Sequence, residues 1–392
     1  MRGSPERRAV PTADARDLTA PASLARRFGG PMGSSDTACS ETMTAVGILR
    51  DHPTAGGDRF ARAVHLAVDD VRASRRLAHD VTLIEEQADG LPRGSAASVE
   101  DAFHRLASRD VVAIIGPAIT DNALVVRDLA DAARLPCINW TGGEQTRSEW
   151  MFQYQVGSLE EEPAFLAGEL VTRHLRRIAL VCDDSIVGRR YEECFADAAS
   201  RCRIEAVARA HLPSDGGDMP RAVVDELRAT APDAVLYLGL WSAARALAVA
   251  VVASAWRPPV FANSALMYGH ASPEWRRDWD GWHYVDAYSD RNGVLHDVVG
   301  RLGGEAAGAA VTVGAAYDMG RLVAEGIGTV VEPTRATVHD GFERVKLVPA
   351  ALGPAGTTMG FGRWKRAALE GRFLVLRAWR GGVSVEIDPR ER

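Results

Sequence analysis

From Thr44 onward the chain repeats one pattern: an apolar run of strand length, a polar turn, then an amphipathic helix. The strand-like runs of the first round are "TAVGIL" (44–49), "VTLIEEQ" (81–87), "VVAIIG" (111–116) and "PCINW" (136–140). Helical stretches separate them at 58–74, 96–108 and 121–134. The first of these puts Phe60, Val64, Ala67, Val68 and Val71 on one face. Strands apolar enough to be covered on both sides, with helices between them, require a parallel sheet flanked by helices. A second round then begins, with strand-like runs at 151–156, 177–184, 204–210, 233–240 and 259–263. A long helix at 314–327 and an apolar strand at 372–379 close the chain. The expected fold is α/β, with two doubly wound parallel-sheet lobes and a cleft between them.

Size and charge allow this and exclude other classes. The 392 residues, 46% hydrophobic and 25% charged, suffice for two domains of roughly 150 residues each. A net charge of −6 gives no reason to expect nucleic acid or an anionic membrane as partner, and no apolar run is long enough to insert into a bilayer. The five cysteines show no CxxC spacing and read as reduced thiols. Residues 1–42, rich in Pro, Gly, Ala and Arg, have no continuous apolar core of a signal peptide and read as a disordered tail; Met43 is an alternative start. As written, the chain is expected in the cytoplasm, and outside it if that start is wrong. There is no HExxH, GxSxG, phosphate-loop or GxGxxG pattern, so neither metal nor cofactor is expected.

In open parallel sheets ligands sit beyond the carboxyl ends of the strands. Four such ends carry small, polar or aromatic residues: "GPAITDN" (116–122), "INWTGG" (138–143), "CDDSIVG" (182–188) and "GLWS" (239–242). Thr120, Asp121 and Asn122 fit two roles there, capping of the following helix or contact with a ligand through hydroxyl and N–H groups.

Five stretches in order strengthen the ligand role: "AVGILRD…GGDRFARAVHLAVDDVRA", "VVAIIGPAIT…ALVVRDLADAARLPCIN", "RIALVCDDSIVGRRYEECF", "PDAVLYLGLWSAARAL" and "AAYDMGRLVAEGI". Together they resemble the type I periplasmic-binding-protein fold, in particular the leucine/isoleucine/valine-binding group. The resemblance implies two lobes joined by three crossovers, near Gln153–Ser158, His283–Tyr288 and the segment after Ile327. It implies residues 43–155 plus 286–335 for one lobe and 156–285 plus 336–392 for the other. It further implies a non-enzymatic receptor, served by an ABC permease, that closes on an amino acid or amide.

Carried over residue by residue, the site would comprise Thr120, Asp121, Thr141, Gly142 and Gly143 in the first lobe. Ser185, Trp241 and Ser264 would complete it from the second, with Tyr268 as a further aromatic wall. Ser264 stands where the family places an acid for the ligand's ammonium, so a neutral amide, urea-like molecule or small carboxylate fits these residues better than a zwitterion. The alternatives are a cytoplasmic amide sensor acting through a regulatory protein partner, and a hydrolase.

Overall fold

The computed structural model describes residues 43–51, 57–91, 94–155, 157–217, 219, 221–270, 272–303, 309–370 and 372–388. The expected tail at 1–42 lies outside them. The first sheet contains β1 (Thr44–Arg50), β2 (Val81–Gln87), β3 (Ala113–Ile115), β4 (Cys137–Asn139) and β5 (Met151–Gln153). Its order is β2-β1-β3-β4-β5 and every pair is parallel. The connecting helices are α1 (Gly57–Ala73), α2 (Ala96–Ala107) and α3 (Thr120–Ala133).

The second round supplies α4 (Glu161–Thr172), β6 (Arg177–Asp183), α5 (Ile186–Cys202), β7 (Glu205–Leu212) and α6 (Arg221–Ala229). It continues with β8 (Ala234–Leu238), α7 (Trp241–Ala253), β9 (Val260–Ala262) and β10 (His283–Asp286). Then come α8 (Gly293–Arg301), α9 (Ala310–Gly328), α10 (Arg335–Arg344), β11 (Val348–Pro349), β12 (Thr358–Met359) and β13 (Leu369–Glu370). The last strands are β14 (Val375–Arg380) and β15 (Val383–Glu386). The second sheet runs β15-β14-β10-β9-β8-β6-β7, parallel except where β14 and β15 join its edge. Strand order reverses beside β1 in one sheet and beside β6 in the other, the crevices where such sheets take ligands.

Both sheets are covered as the double-sided apolar runs require. Every residue of β3, β4, β5, β8 and β9 is buried. Helix α9, buried along almost its whole length, closes the first sheet by packing on α1. Gly320 makes that approach possible, since a Cβ there would stand 2.9 Å from Val64 Cα.

The C-terminal third departs from the expected division. Residues 336–370, assigned above to the second lobe, attach to the first sheet. Gln153 N–H donates to Arg366 O at 2.8 Å, and Ala368 N–H donates to Gln153 O at 2.8 Å. Asn292, ahead of α8, donates to Ala350 O at 3.0 Å, and Arg301 pairs with Asp70 at 2.6 Å. Only β14 and β15 return to the second sheet. The chain therefore crosses after β5, after β10 and between β13 and β14, so the third crossing falls some forty residues later than the segment directly after Ile327.

Candidate functional site

Asp51, which follows β1 and is only 2% exposed, organises the turn after β3. It accepts from Ala118 N–H at 3.0 Å, Ile119 N–H at 2.8 Å and Asn122 Nδ2 at 2.9 Å. With those donors engaged, Ile119 takes the cap position of α3, in extended conformation and with no side-chain cap bond. Thr120 is thus the first residue of the helix and not its cap. Its hydroxyl makes no hydrogen bond among the described residues, and the first-turn N–H groups meet no cap. This leaves positive helix-end charge for a ligand oxygen. Asp121 is exposed in the same turn, where its charge complements the helix end.

The turn after β4 lies against it. A Cβ at Gly143 would stand 3.0 Å from Thr120 Cγ2, so the bare glycine lets the two turns meet. Thr141 corrects the sequence reading. It is 2% exposed and its hydroxyl donates inward to Asn139 Oδ1 at 2.9 Å, while its carbonyl accepts from Gln153 Nε2 at 2.7 Å. A network of Asn139, Thr146 and Gln153 thus claims it as scaffold. Gly142 and Gly143 remain as the backbone surface of this turn.

In the second lobe two of the three expected residues are committed elsewhere. Ser185 caps α5: its Oγ accepts from Gly188 N–H at 2.9 Å and donates to Asp183. Asp183 is fully buried and also accepts from Ser185 N–H at 3.1 Å, Tyr237 Oη at 3.3 Å and Leu240 N–H. A Cβ at Gly188 would stand 2.3 Å from the Asp183 carboxylate and one at Gly239 2.4 Å from it, so both positions exclude a side chain. Ser264 donates its N–H to Glu162 Oε2 at 2.8 Å and its hydroxyl to Oε1 at 2.9 Å. Trp241, at the start of α7, stacks on Trp275 with centroids 4.7 Å apart and lies 5.2 Å from Tyr268. Trp241 and half-exposed Tyr268 thus belong to one aromatic cluster rather than to separate walls.

The residues that sequence reasoning missed open α4. Leu159 N–H donates to Gly142 O at 3.1 Å, which sets Glu160, Glu161 and Glu162 against the Thr141–Gly143 turn immediately after the first crossing. Glu162 is fully buried and receives Ser158 N–H at 2.8 Å in addition to Ser264. Burial pushes its carboxyl up to about 7, against hydrogen bonds from Ser264, Ser158 and Tyr191. Among the described residues both Glu160 oxygens are buried without a hydrogen bond, with Arg190 Nε at 3.8 Å. Burial and the facing carboxylate of Glu144 raise the Glu160 carboxyl. The run "LEEEP" (159–163) was a visible signal, but it opens a helix that follows a crossing and so escaped a search confined to strand ends. Among the described residues no group of His, Cys, Asp and Glu is arranged to hold a metal.

A profile of the family described as periplasmic binding protein matches residues 53–369. The chain belongs to that family. Solved structures agree on the fold. One is an ABC transporter substrate-binding protein from Desulfitobacterium hafniense in complex with Leu, 16% identical, with TM-score 0.75 over 88% of this chain and 100% of that one. Another is a periplasmic binding protein type 1 from Bordetella pertussis Tohama I, 17% identical, with TM-score 0.73 over 88% and 99%. A third is a branched-chain amino acid transporter substrate-binding protein from Streptococcus pneumoniae in complex with isoleucine, 13% identical, with TM-score 0.70 over 88% and 100%. The comparison with curated sequences gave no match. Ser264, where the sequence resemblance leads one to expect an acid, is met by a carboxylate from another element, Glu162.

Proposed function

We propose that this chain is a non-enzymatic receptor whose two lobes close on a small solute carrying both a carboxylate and an amine, for delivery to an ABC permease. The observation that carries the reading is the juxtaposition around Gly142. Open donors of the first lobe, at Thr120 and the adjoining turn, meet the acidic start of α4 through the Leu159–Gly142 contact. A zwitterion needs a partner at each end when it leaves water. Thr120 and the neighbouring N–H groups would hold its carboxylate, and Glu160, whose oxygens accept no hydrogen bond among the described residues, would hold its ammonium, with Glu162 fixing the start of α4 behind it. This replaces the neutral solute preferred from sequence, a preference drawn from Ser264 and from Asp121 beside the carboxylate position. Relatives described as binding Leu and isoleucine support an amino acid, and the family's periplasmic description supports transport outside the cytoplasm over a cytoplasmic sensor. Closure then follows as a population shift, because only the closed form offers both sets of contacts.

A thermal-shift series of amino acids against their amides and their deaminated acids tests this. Amino acids should raise the melting temperature by mass action, and an equal response to the deaminated acids would refute the ammonium role of α4. Thr120→Ala should weaken binding about fivefold, as expected for one neutral hydrogen bond. Glu160→Gln should weaken it about tenfold or more, since a charge-assisted bond is lost. Acid should weaken binding too. Burial and the Glu144 carboxylate raise the Glu160 carboxyl, so in acid an incoming ammonium must displace a proton. Calorimetric Kd should rise as the pH falls into the range where Glu160 takes up a proton and flatten above it, and Glu160→Gln should abolish that slope.

A further inference from the structure

We propose that the hairpin tip at Arg363 and Trp364, with Lys346 and Leu347 beside it, is a docking surface for an anionic lipid bilayer. Gly362 and Lys365 exchange both backbone hydrogen bonds, at 2.9 and 3.1 Å, around a loop of two residues. Such loops favour Asn and Gly. This one carries Arg363 and Trp364, with the guanidinium 5.2 Å from the indole ring centroid and Trp364 89% exposed.

The neighbouring strand entrance shows the same anomaly. Leu347 has φ 53°, a left-handed conformation that costs a non-glycine residue stability, and its side chain is nevertheless 67% exposed. A Cβ at Gly362 would stand 3.0 Å from Lys346 Nζ, which ties this basic residue to the tip. Lys346 and Arg363 are both exposed.

A convex tip of indole, leucine and flanking cations suits a soft anionic interface. The indole and leucine enter the headgroup layer while the cations stay at the phosphates. The overall charge of −6 does not oppose this, since charges farther than about 8 Å are screened at physiological salt. Placement also allows it. Arg366 donates to Ser148 O at 3.2 Å, so the tip lies toward the N-terminal end of β5, whereas the solute site lies beyond the opposite strand ends. A bilayer bound here leaves the site uncovered.

Flotation of the full chain with phosphatidylcholine vesicles, with and without phosphatidylglycerol, tests the proposal. The chain should float with the anionic vesicles only and be released by salt. Lys346→Gln or Arg363→Gln should each lower the vesicle partition coefficient about fivefold, the effect of one basic side chain at such a surface. Trp364→Ser should lower it further, with melting temperature unchanged because the ring is exposed. Flotation that survives all three substitutions, or folded protein that ignores anionic vesicles, overturns the proposal. In the second case the tip is left to an acidic protein surface.

Discussion

Asp183→Ala should lower stability by about 3 kcal/mol, as expected when a buried acceptor is removed from among several neutral donors and a gap is left. The carboxylate closes the end of β6 by accepting from Ser185, Tyr237 and Leu240, and so joins the start of α5 to the start of α7. Alanine would take this acceptor from the Ser185 and Leu240 N–H groups and leave Tyr237 Oη with the Leu240 carbonyl alone. It would also open a gap that Gly188 and Gly239, both shaped to the carboxylate, cannot fill. The melting temperature should fall by roughly 10 °C for a lobe of this size. Asp183→Asn, which keeps one acceptor, should lie between the two. A melting temperature for the alanine variant within error of the parent would show that the cluster carries no weight.

Asp51→Ala should cost about 3 kcal/mol and abolish tight solute binding as well, because three donors lose one acceptor. Two of them, Ala118 N–H and Ile119 N–H, shape the turn that delivers Thr120. The third, Asn122, is also fixed by Leu91, whose N–H it accepts at 3.0 Å. Chemical denaturation gives the stability loss and calorimetry the binding loss. If affinity falls no more than in Thr120→Ala, the turn is not positioned by Asp51.

What could be read from the sequence depended on periodicity. The buried runs at 111–116 and 233–240 sit between helices long enough to declare doubly wound sheets, and each supplies an interior strand to one of the two sheets. The region 336–370 could not be placed in the same way. Its strands β11, β12 and β13 have two residues each, too few to show any alternation, and its attachment runs through backbone bonds at Gln153 that no side-chain pattern encodes. The site divided along similar lines. Thr120 stands at a strand-to-helix turn, the place topology marks. Thr141 stands at another, yet Asn139 and Gln153 turn it inward, a matter of three-dimensional neighbours. Glu162 reaches Ser264 from 102 positions away, beyond any local motif.

The packing of α9 on α1 has a consequence for biosynthesis. Phe60, Val64, Ala67, Val68 and Val71 lie on the helix that packs against α9, so their burial is completed only when a helix more than two hundred residues downstream arrives. At ribosomal speeds that interval is roughly 10–50 s. Throughout it the nascent chain presents a sticky stripe with its natural cover not yet made. Expression yield of this protein should therefore depend on holding factors that shield newly made chains, far more than the stability of the finished molecule would suggest.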